Sequence, residues 1–153
     1  IILSGFVIGG VVRGLLVGVM VTLLSLFFTH LSIHHLFVVI YSVLVTSTLF
    51  ALGGFVNAVF AKSFDDISIV PTFILTPLTY LGGVFYSIDN LSPIFQTISL
   101  FNPIVYMVNS FRFGILDVSD VDIRLSLTIM TLATIALYVY ALKLLQSGKG
   151  MKE

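Results

Sequence analysis

Long apolar stretches separated by short polar clusters run through the whole chain. No Asp, Glu, Lys or Arg lies between Arg13 and Lys62. As a single helix this charge-free run would be about 72 Å long, whereas the hydrocarbon core of a bilayer is about 30 Å thick. The run therefore predicts two membrane spans, over residues 1–33 and 36–61, joined by a turn at a histidine-rich cluster.

Two further spans are predicted downstream. The first covers residues 67–86 and carries Pro71 and Pro77. Proline is tolerated in membrane helices where neighbouring groups satisfy the freed carbonyls, and it usually leaves a kink. The other covers residues 125–145 and contains a single charge, Lys143, near its end.

The segment over residues 91–116 is apolar but interrupted by prolines and polar residues, so it is either a fifth span or a re-entrant helical hairpin. Cytoplasmic loops carry an excess of Lys and Arg. A hairpin places Lys62 and the C-terminal lysines on one side, whereas a fifth span separates them. The charge pattern therefore favours the hairpin, a cytoplasmic C-terminus and an external histidine loop.

Composition excludes a soluble domain. Of the 153 residues, 58% are hydrophobic and 9% are charged, against about 25% charged in ordinary soluble domains. The predicted fold class is an all-α membrane protein, a bundle of about four transmembrane helices with an external re-entrant hairpin, forming one domain over residues 1–153. Because the chain starts in an apolar stretch without a Met or a basic leader, we expect it to be an N-terminally truncated piece of a longer protein.

Charge and motifs exclude several functions. The formal net charge is zero, so no basic field favours nucleic acid. Without cysteine there is no disulfide, iron–sulfur cluster or thiolate metal site. No P-loop, His-Glu-x-x-His or Gly-x-Ser-x-Gly sequence occurs. We therefore predict no catalytic residue, no cofactor and no metal.

Three glycines in the first span form the clearest packing signal. Gly10, Gly14 and Gly18 recur every four residues and predict a groove that another membrane helix approaches closely. Its partner is either a second protomer or the small-residue stripe of Ala51, Gly54 and Ala58 in the second span.

Two polar features have alternative interpretations. Arg13 either snorkels to the cytoplasmic interface or faces a pathway. Among the three histidines of the external turn, His30 and His34 are four residues apart, as in some zinc sites, but no carboxylate is near them in sequence to orient the rings. An interfacial loop is therefore favoured over a metal site.

A short charged segment follows the second span. Lys62, Asp65 and Asp66 are predicted to form a cytoplasmic turn, with the carboxylates at a helix N-terminus, where they suit the helix dipole. Contact with a cytoplasmic partner is the alternative.

In the ambiguous segment, Asn102-Pro103 is the predicted turn, since proline disfavours helix at the preceding residue and lacks an N–H donor. After it, Tyr106, Asn109 and Arg112 are three residues apart and share one helix face. Arg112 is expected either to reach the headgroup level or to pair with an acidic group such as Asp117.

A family resemblance rests on these same motifs. The chain resembles the ABC-2 type permeases, the membrane subunits of bacterial ATP-binding-cassette exporters of nodulation factors, polysaccharides and drugs. The sequences that carry the resemblance are Leu81-Gly82-Gly83-Val84-Phe85-Tyr86, Leu91-Ser92-Pro93 and Asn102-Pro103-Ile104-Val105-Tyr106, followed by Asn109 and Arg112. Ser92 and Asn109 depart from the Pro and Asp that are frequent in this family.

The resemblance implies a six-span permease in the bacterial inner membrane, of which this chain would supply the last four spans. It implies a substrate path formed by a dimer of permeases, a separate cytoplasmic ABC ATPase as partner, and an external hairpin between spans five and six. Asn102, Pro103, Tyr106, Asn109 and Arg112 are then candidates for an outer gate. The alternatives are an ATPase-independent carrier or channel, or a structural membrane subunit.

Overall fold

The computed structural model describes residues 2–30 and 32–147, and within these ranges the chain forms helices and turns without a β-strand. The helices are α1 (Ile2–Leu26), α2 (Leu36–Phe60), α3 (Phe64–Ile69), α4 (Thr76–Tyr80), α5 (Pro93–Leu100), α6 (Pro103–Leu116) and α7 (Ile123–Gln146). A π-helical segment, Val70–Leu75, joins α3 to α4, and a 3-10 turn, Ile88–Asn90, precedes α5.

Three of these helices, α1, α2 and α7, are long and apolar enough to cross a membrane. Each has 24 or 25 residues, which is about 36–38 Å of helix. Large apolar side chains such as Leu24, Phe37 and Leu132 stand mostly exposed on their outer faces. Such a surface is stable in lipid or against other membrane helices but not in water. The prediction of an all-α membrane protein is confirmed.

The predicted span over 67–86 is helical over a shorter range, from Phe64 to Tyr80, and includes the π-helical segment. Pro71 and Pro77 explain the distortion, because each lacks an N–H and crowds the carbonyl four residues earlier. The helix ends before Gly83, which has a φ of 73° that glycine adopts without strain.

The second helix, α2, lies at the centre of the bundle. It packs against α1, α6 and α7. A Cβ atom at Gly10 of α1 would lie 2.5 Å from the Ala51 Cβ, and one at Gly14 would lie 2.5 Å from the Ser47 Oγ, so α1 runs antiparallel to α2. Tyr41 near the start of α2 shares a hydrogen bond with Thr131 of α7.

Two buried clusters hold the long helices together. Near the Lys62 end of the bundle, Leu3, Leu52, Phe55 and Ala141 join α1, α2 and α7. Nearer the opposite end, Tyr106, Met107 and Met130 join α6 to α7, with Val45 and Leu49 of α2 packed against them. Each cluster takes residues from at least two helices far apart in sequence, so the packing fixes how the helices are arranged.

The segment predicted at 91–116 forms a helical hairpin of α5 and α6. These helices have 8 and 14 residues, about 12 and 21 Å, so neither alone matches a hydrocarbon core of about 30 Å. The two ends of the hairpin lie at the same end of the bundle, since Arg112 of α6 contacts the Gly83 carbonyl, which precedes the hairpin. Its insertion into a membrane stays a prediction.

Candidate functional site

Most of the polar contacts between distant parts of the chain lie at one end of the bundle. We call this the hairpin end, and define it by the connecting residues 27–30, 32–35, 81–92 and 117–122. Of the five predicted hairpin residues, Asn109 and Arg112 form hydrogen bonds to this end, whereas Asn102 and Tyr106 form theirs to the ends of α4 and α5.

Asn102 fixes the turn between α5 and α6 where the sequence places it. Its side-chain oxygen accepts from the Ile104 N–H at 3.0 Å, which caps α6, and Pro103 occupies the first turn. Its amide nitrogen donates to the Leu78 carbonyl at 2.6 Å. That carbonyl lies at the end of α4, where the helix stops and would otherwise leave it unpaired. Asn102 therefore joins the hairpin turn to α4.

Tyr106 closes the hairpin on itself. Its hydroxyl donates to the Leu100 carbonyl at 2.6 Å, the last residue of α5, while its ring packs in the cluster with Met107 and Met130. One side chain thus holds both arms of the hairpin against α7.

Asn109 is buried and has a complete set of hydrogen bonds. Its oxygen accepts from the N–H groups of Asp120 and Val121, at 2.8 and 3.2 Å. Its nitrogen donates to the Val121 carbonyl at 2.7 Å and to the Ser126 hydroxyl at 3.0 Å. Two donors and two acceptors exhaust what an amide side chain offers. An aspartate here would have no donor for the Val121 carbonyl.

Arg112 and Asp120 form the central ion pair of the hairpin end. The Arg112 Nη1 donates to the Asp120 Oδ2 at 2.8 Å, and its Nη2 donates to the Gly83 carbonyl at 2.5 Å. The other face of Asp120 accepts from the Ser87 hydroxyl at 2.8 Å and the Ile88 N–H at 3.0 Å. The pair therefore joins α6, the turn after α4 and the loop before α7.

Burial and hydrogen bonding act on Asp120 in opposite directions. Loss of solvent raises the pKa of Asp120, but the Ile88 N–H, the Ser87 hydroxyl and the Arg112 guanidinium together outweigh it, so that the pKa of Asp120 is lowered. The side chain of Asp120 is 7% exposed and that of Arg112 is 19% exposed. The carboxylate stays charged and shielded from water at neutral pH.

Arg112 pairs with an acidic group, one of the two alternatives expected from sequence, but the partner is Asp120 and not Asp117, which was given as the example. Asp117 ends α6 in the left-handed conformation, with a φ of 58°. That cap reverses the chain, turning Asp117 outward and bringing Asp120 back beside Arg112. Asp tolerates this conformation better than most residues, so the reversal needs no glycine.

Asp117 instead meets the histidine loop. The His35 Nε2 lies 2.9 Å from the Asp117 Oδ1, and the His35 ring stacks on Phe113 with centroids 4.6 Å apart. The His34 Nδ1 lies 2.7 Å from the Ile115 carbonyl. The expectation that no carboxylate orients the histidine rings is therefore wrong for His35. Within residues 2–30 and 32–147 no group of three potential metal-binding side chains is found.

At the opposite end, Lys62, Asp65 and Asp66 lie at the start of α3. Ser63 and Asp66 form a reciprocal capping box, in which the Asp66 carboxylate accepts from the N–H groups of Lys62 and Ser63 at 3.0 and 3.1 Å. The Lys62 N–H in particular lowers the pKa of Asp66. Both carboxylates lie in the first turn of α3, the position that suits the helix dipole.

The glycine groove is shorter than predicted. Gly10 and Gly14 contact α2, and Gly10 meets Ala51 of the small-residue stripe, whereas a Cβ at Gly18 or Gly54 would have nothing within 4 Å among the described residues. A step of four residues advances about 40° around an α-helix, so Gly18 has rotated about 80° from Gly10. Gly18 therefore faces away from α2.

A cavity of about 670 Å³ opens between α2, α4 and α6. Its walls are apolar apart from a few residues, among them Ser42, Thr46, Thr79 and Arg112. The Ser42 hydroxyl is buried and has no hydrogen-bond partner among the described residues.

With this geometry in place, comparison with known proteins decides the family. Residues 1–116 match the family described as ABC-2 type transporter. The chain belongs to the ABC-2 type transporter family. The match covers α1 through α6 and therefore includes the hairpin.

Relatives of this ABC-2 family chain support the assignment. It is 48% identical over 152 residues to the inner membrane transport permease YadH of Escherichia coli K12, covering 99% of this chain and 59% of YadH. It is 31% identical over 68 residues to nodulation protein J of Rhizobium leguminosarum bv. viciae, covering 44% of this chain and 26% of that protein. The chain thus spans about three fifths of the length of YadH. No solved structure matches it.

Proposed function

We propose that this chain is part of the permease subunit of an ATP-driven exporter in the bacterial inner membrane. The observation that carries the proposal is the family match over residues 1–116, joined to 48% identity with an inner membrane transport permease. The 153 residues contain no P-loop, so ATP hydrolysis is assigned to a separate cytoplasmic ABC ATPase. The substrate path then lies between two permease copies.

The distribution of basic residues supports an orientation. Lys62 and Lys143 lie near one end of the bundle, and the sequence after α7 adds Lys149 and Lys152, whereas Arg112 and Arg124 lie near the hairpin end, so the count is four basic residues against two. By the positive-inside rule the Lys62 end is cytoplasmic, the hairpin end is external and the C-terminus is cytoplasmic. These 153 residues contain no cysteine, so single cysteines at Lys62 and Ser119, in a full-length protein freed of any other cysteine, can be labelled with an impermeant maleimide in intact cells. Labelling at 119 and protection at 62 are expected, and the reverse pattern contradicts the orientation.

The outer face of α1 supports a second permease copy as partner. A Cβ atom at Gly5 or Gly9, which are four residues apart and share one face of α1, would meet nothing within 4 Å among the described residues, so another backbone could approach closely there. A single cysteine at Gly9 in the full-length protein should form an intermolecular disulfide in membranes. The matched position is Leu132, which is exposed on α7. Equal crosslinking at both positions would speak against a specific α1 interface.

The hairpin is proposed as the outer gate of this path. Its polar residues reach three neighbouring segments: Asn102 contacts the end of α4, Arg112 the turn after it, and Asn109 the loop before α7. Movement of the hairpin would therefore be transmitted to both flanking spans. We expect Arg112→Ala to impair transport per molecule of protein in the membrane, after correction for any loss of accumulation, and to leave ATPase association intact.

The function is tested by purifying the tagged full-length protein from its native membranes. We expect an ABC ATPase to co-purify, and its ATP hydrolysis to fall to background when the P-loop lysine of that ATPase is replaced. If the ATPase with the replaced lysine still co-purifies but no longer hydrolyses ATP, assembly of the complex is separated from its energy supply. A full-length protein that never retains an ATPase, including after crosslinking in the membrane, favours the carrier or structural alternatives.

A further inference from the structure

The C-terminal end of α6 is held by residues 79 to 82 positions earlier in the chain. The His35 N–H donates to the Gly114 carbonyl at 2.9 Å, and the His34 Nδ1 lies 2.7 Å from the Ile115 carbonyl. These carbonyls belong to the last turn of α6, where no further helical N–H reaches them. Two consecutive residues of the α1–α2 loop thus cap the arm of the hairpin that returns to the hairpin end.

Close packing holds the two segments at this distance. A Cβ atom added at Gly114 would lie 2.5 Å from the Val39 Cγ2 and 3.1 Å from the Val39 nitrogen. The start of α2 and the end of α6 are therefore in direct contact, and the backbone of Gly114 makes the approach possible. The histidine side chains act across this contact.

Both side-chain contacts use a ring N–H, so both persist when the rings are protonated. A backbone carbonyl can only accept, which makes the His34 Nδ1 the donor to Ile115, and ionised Asp117 makes the His35 Nε2 the donor to its Oδ1. Protonation adds a positive charge beside the negative end of the α6 dipole and beside the Asp117 carboxylate. It also places a cation over the face of Phe113, whose ring lies within 5° of parallel to that of His35.

Other charges near this contact are few and are already engaged. On α6, Arg112 is paired with Asp120. On α2, Tyr41 shares its hydroxyl hydrogen bond with Thr131 of α7. The Asp122 carboxylate caps α7 by accepting from the Arg124 N–H. The positive end of the α2 dipole opposes a positive charge on His35, because His35 is the residue that precedes α2.

We propose that His34 and His35 are positioning residues that form a proton-responsive latch on the hairpin. Histidine is the side-chain type that ordinarily changes charge between pH 5 and 8. Acidification in this range would strengthen the hold of the α1–α2 loop on α6. This consequence rests on the orientation and the gate proposed above: this end faces the outside, where pH follows the medium, so acid would hold the hairpin in the position described here.

Hydrogen exchange in the full-length protein, reconstituted in lipid nanodiscs, tests the latch without a transport assay. The readout is the protection factor of the amides in residues 113–117 at pH 5.5 and 7.5, each corrected for the intrinsic exchange rate at that pH. Both His35 and Asp117 are about half exposed, which limits the pair to the energies of surface ion pairs. We therefore expect protection to be about two- to five-fold higher at pH 5.5.

Three variants decide the interpretation. His35→Gln and Asp117→Asn should each lose most of the pH dependence, while Asp117→Asn keeps a hydrogen-bonding side chain and its protection at pH 7.5. His30→Gln, in the same loop, should retain the full dependence. Equal protection at both pH values in the unmodified protein, or an undiminished dependence in Asp117→Asn, would overturn the proposal. Because hydrogen exchange measures the opening of α6 in the hairpin directly, these outcomes are independent of whether the protein exports its substrate with an ATPase.

Discussion

Replacing Arg112 with alanine should weaken the whole hairpin end, because one guanidinium joins three segments. The substitution removes the ion pair with Asp120 and the hydrogen bond to the Gly83 carbonyl. Asp120 keeps its bonds from Ser87 and Ile88 but becomes a carboxylate without its cation, in a position that is 7% exposed.

The magnitude follows from this burial. Breaking a buried ion pair by removing one partner costs about 3–5 kcal/mol, whereas a fully exposed pair contributes about 1 kcal/mol or less. With Arg112 at 19% and Asp120 at 7% exposure, the pair lies closer to the buried limit. We expect Arg112→Ala to lower the free energy of unfolding by about 3 kcal/mol. Arg112→Lys keeps the charge but not the fork that reaches two acceptors, so a loss of about 1–2 kcal/mol is expected.

The assay is reversible SDS unfolding of the full-length protein in mixed micelles. Arg124→Ala is the matched control, since Arg124 is an exposed arginine at the same end of the bundle whose side chain makes no ion pair among the described residues. Its effect should stay within about 0.5 kcal/mol. If Arg112→Ala costs no more than Arg124→Ala, the ion pair contributes nothing to the fold. The gate proposal then loses its structural basis.

Three further predictions use the same unfolding measurement. Gly14→Leu should lower the free energy of unfolding by about 1–3 kcal/mol more than Gly18→Leu, because only the first places a side chain against α2, while both gain the same helix propensity. Equal effects would contradict the packing of α1 on α2. Asn109→Ala should cost at least about 2 kcal/mol, since it leaves buried backbone groups of the 117–122 loop unpaired, and a neutral result would show that water replaces the amide. Because the pKa of Asp120 is lower in the folded state, the ionised carboxylate stabilises the fold above about pH 4, and this stabilisation should be lost as pH falls through the folded pKa. The acid-induced loss of stability should be smaller in Asp120→Asn. An identical loss in that variant would exclude Asp120 as the source.

Several features of this protein could be predicted from local sequence. The absence of charge between Arg13 and Lys62 is sufficient to predict two membrane helices, because a charged side chain in lipid is costly wherever the helix packs. The Asn102-Pro103 turn and the position of Asp65 and Asp66 in the first turn of α3 are also local, since each depends on residues within one helical turn. Periodicity and turn chemistry act over such short distances, so no tertiary contact was needed to recognise them.

The partners of polar side chains depended on tertiary structure. Arg112 binds Asp120 rather than Asp117, because the left-handed cap at Asp117 reverses the chain, and an aspartate gives no advance sign of adopting that conformation. His35 meets Asp117 across 82 positions of sequence. A polar residue in a membrane protein indicates that a partner is needed, but only the packing of the helices decides which one lies within hydrogen-bonding distance.

The glycines of α1 likewise show one property that the sequence predicts and one that depends on tertiary structure. Its four-residue spacing was enough to predict a close helix contact, and Gly10 and Gly14 make one with α2. The spacing alone did not show where the contact ends, because a four-residue repeat drifts around a helix of 3.6 residues per turn and two helices touch only near their crossing point. The sequence thus determined the helices and the residues able to pack. The tertiary structure determined which of those residues meet, because contacts between helices depend on crossing angles and chain reversals set by the fold as a whole.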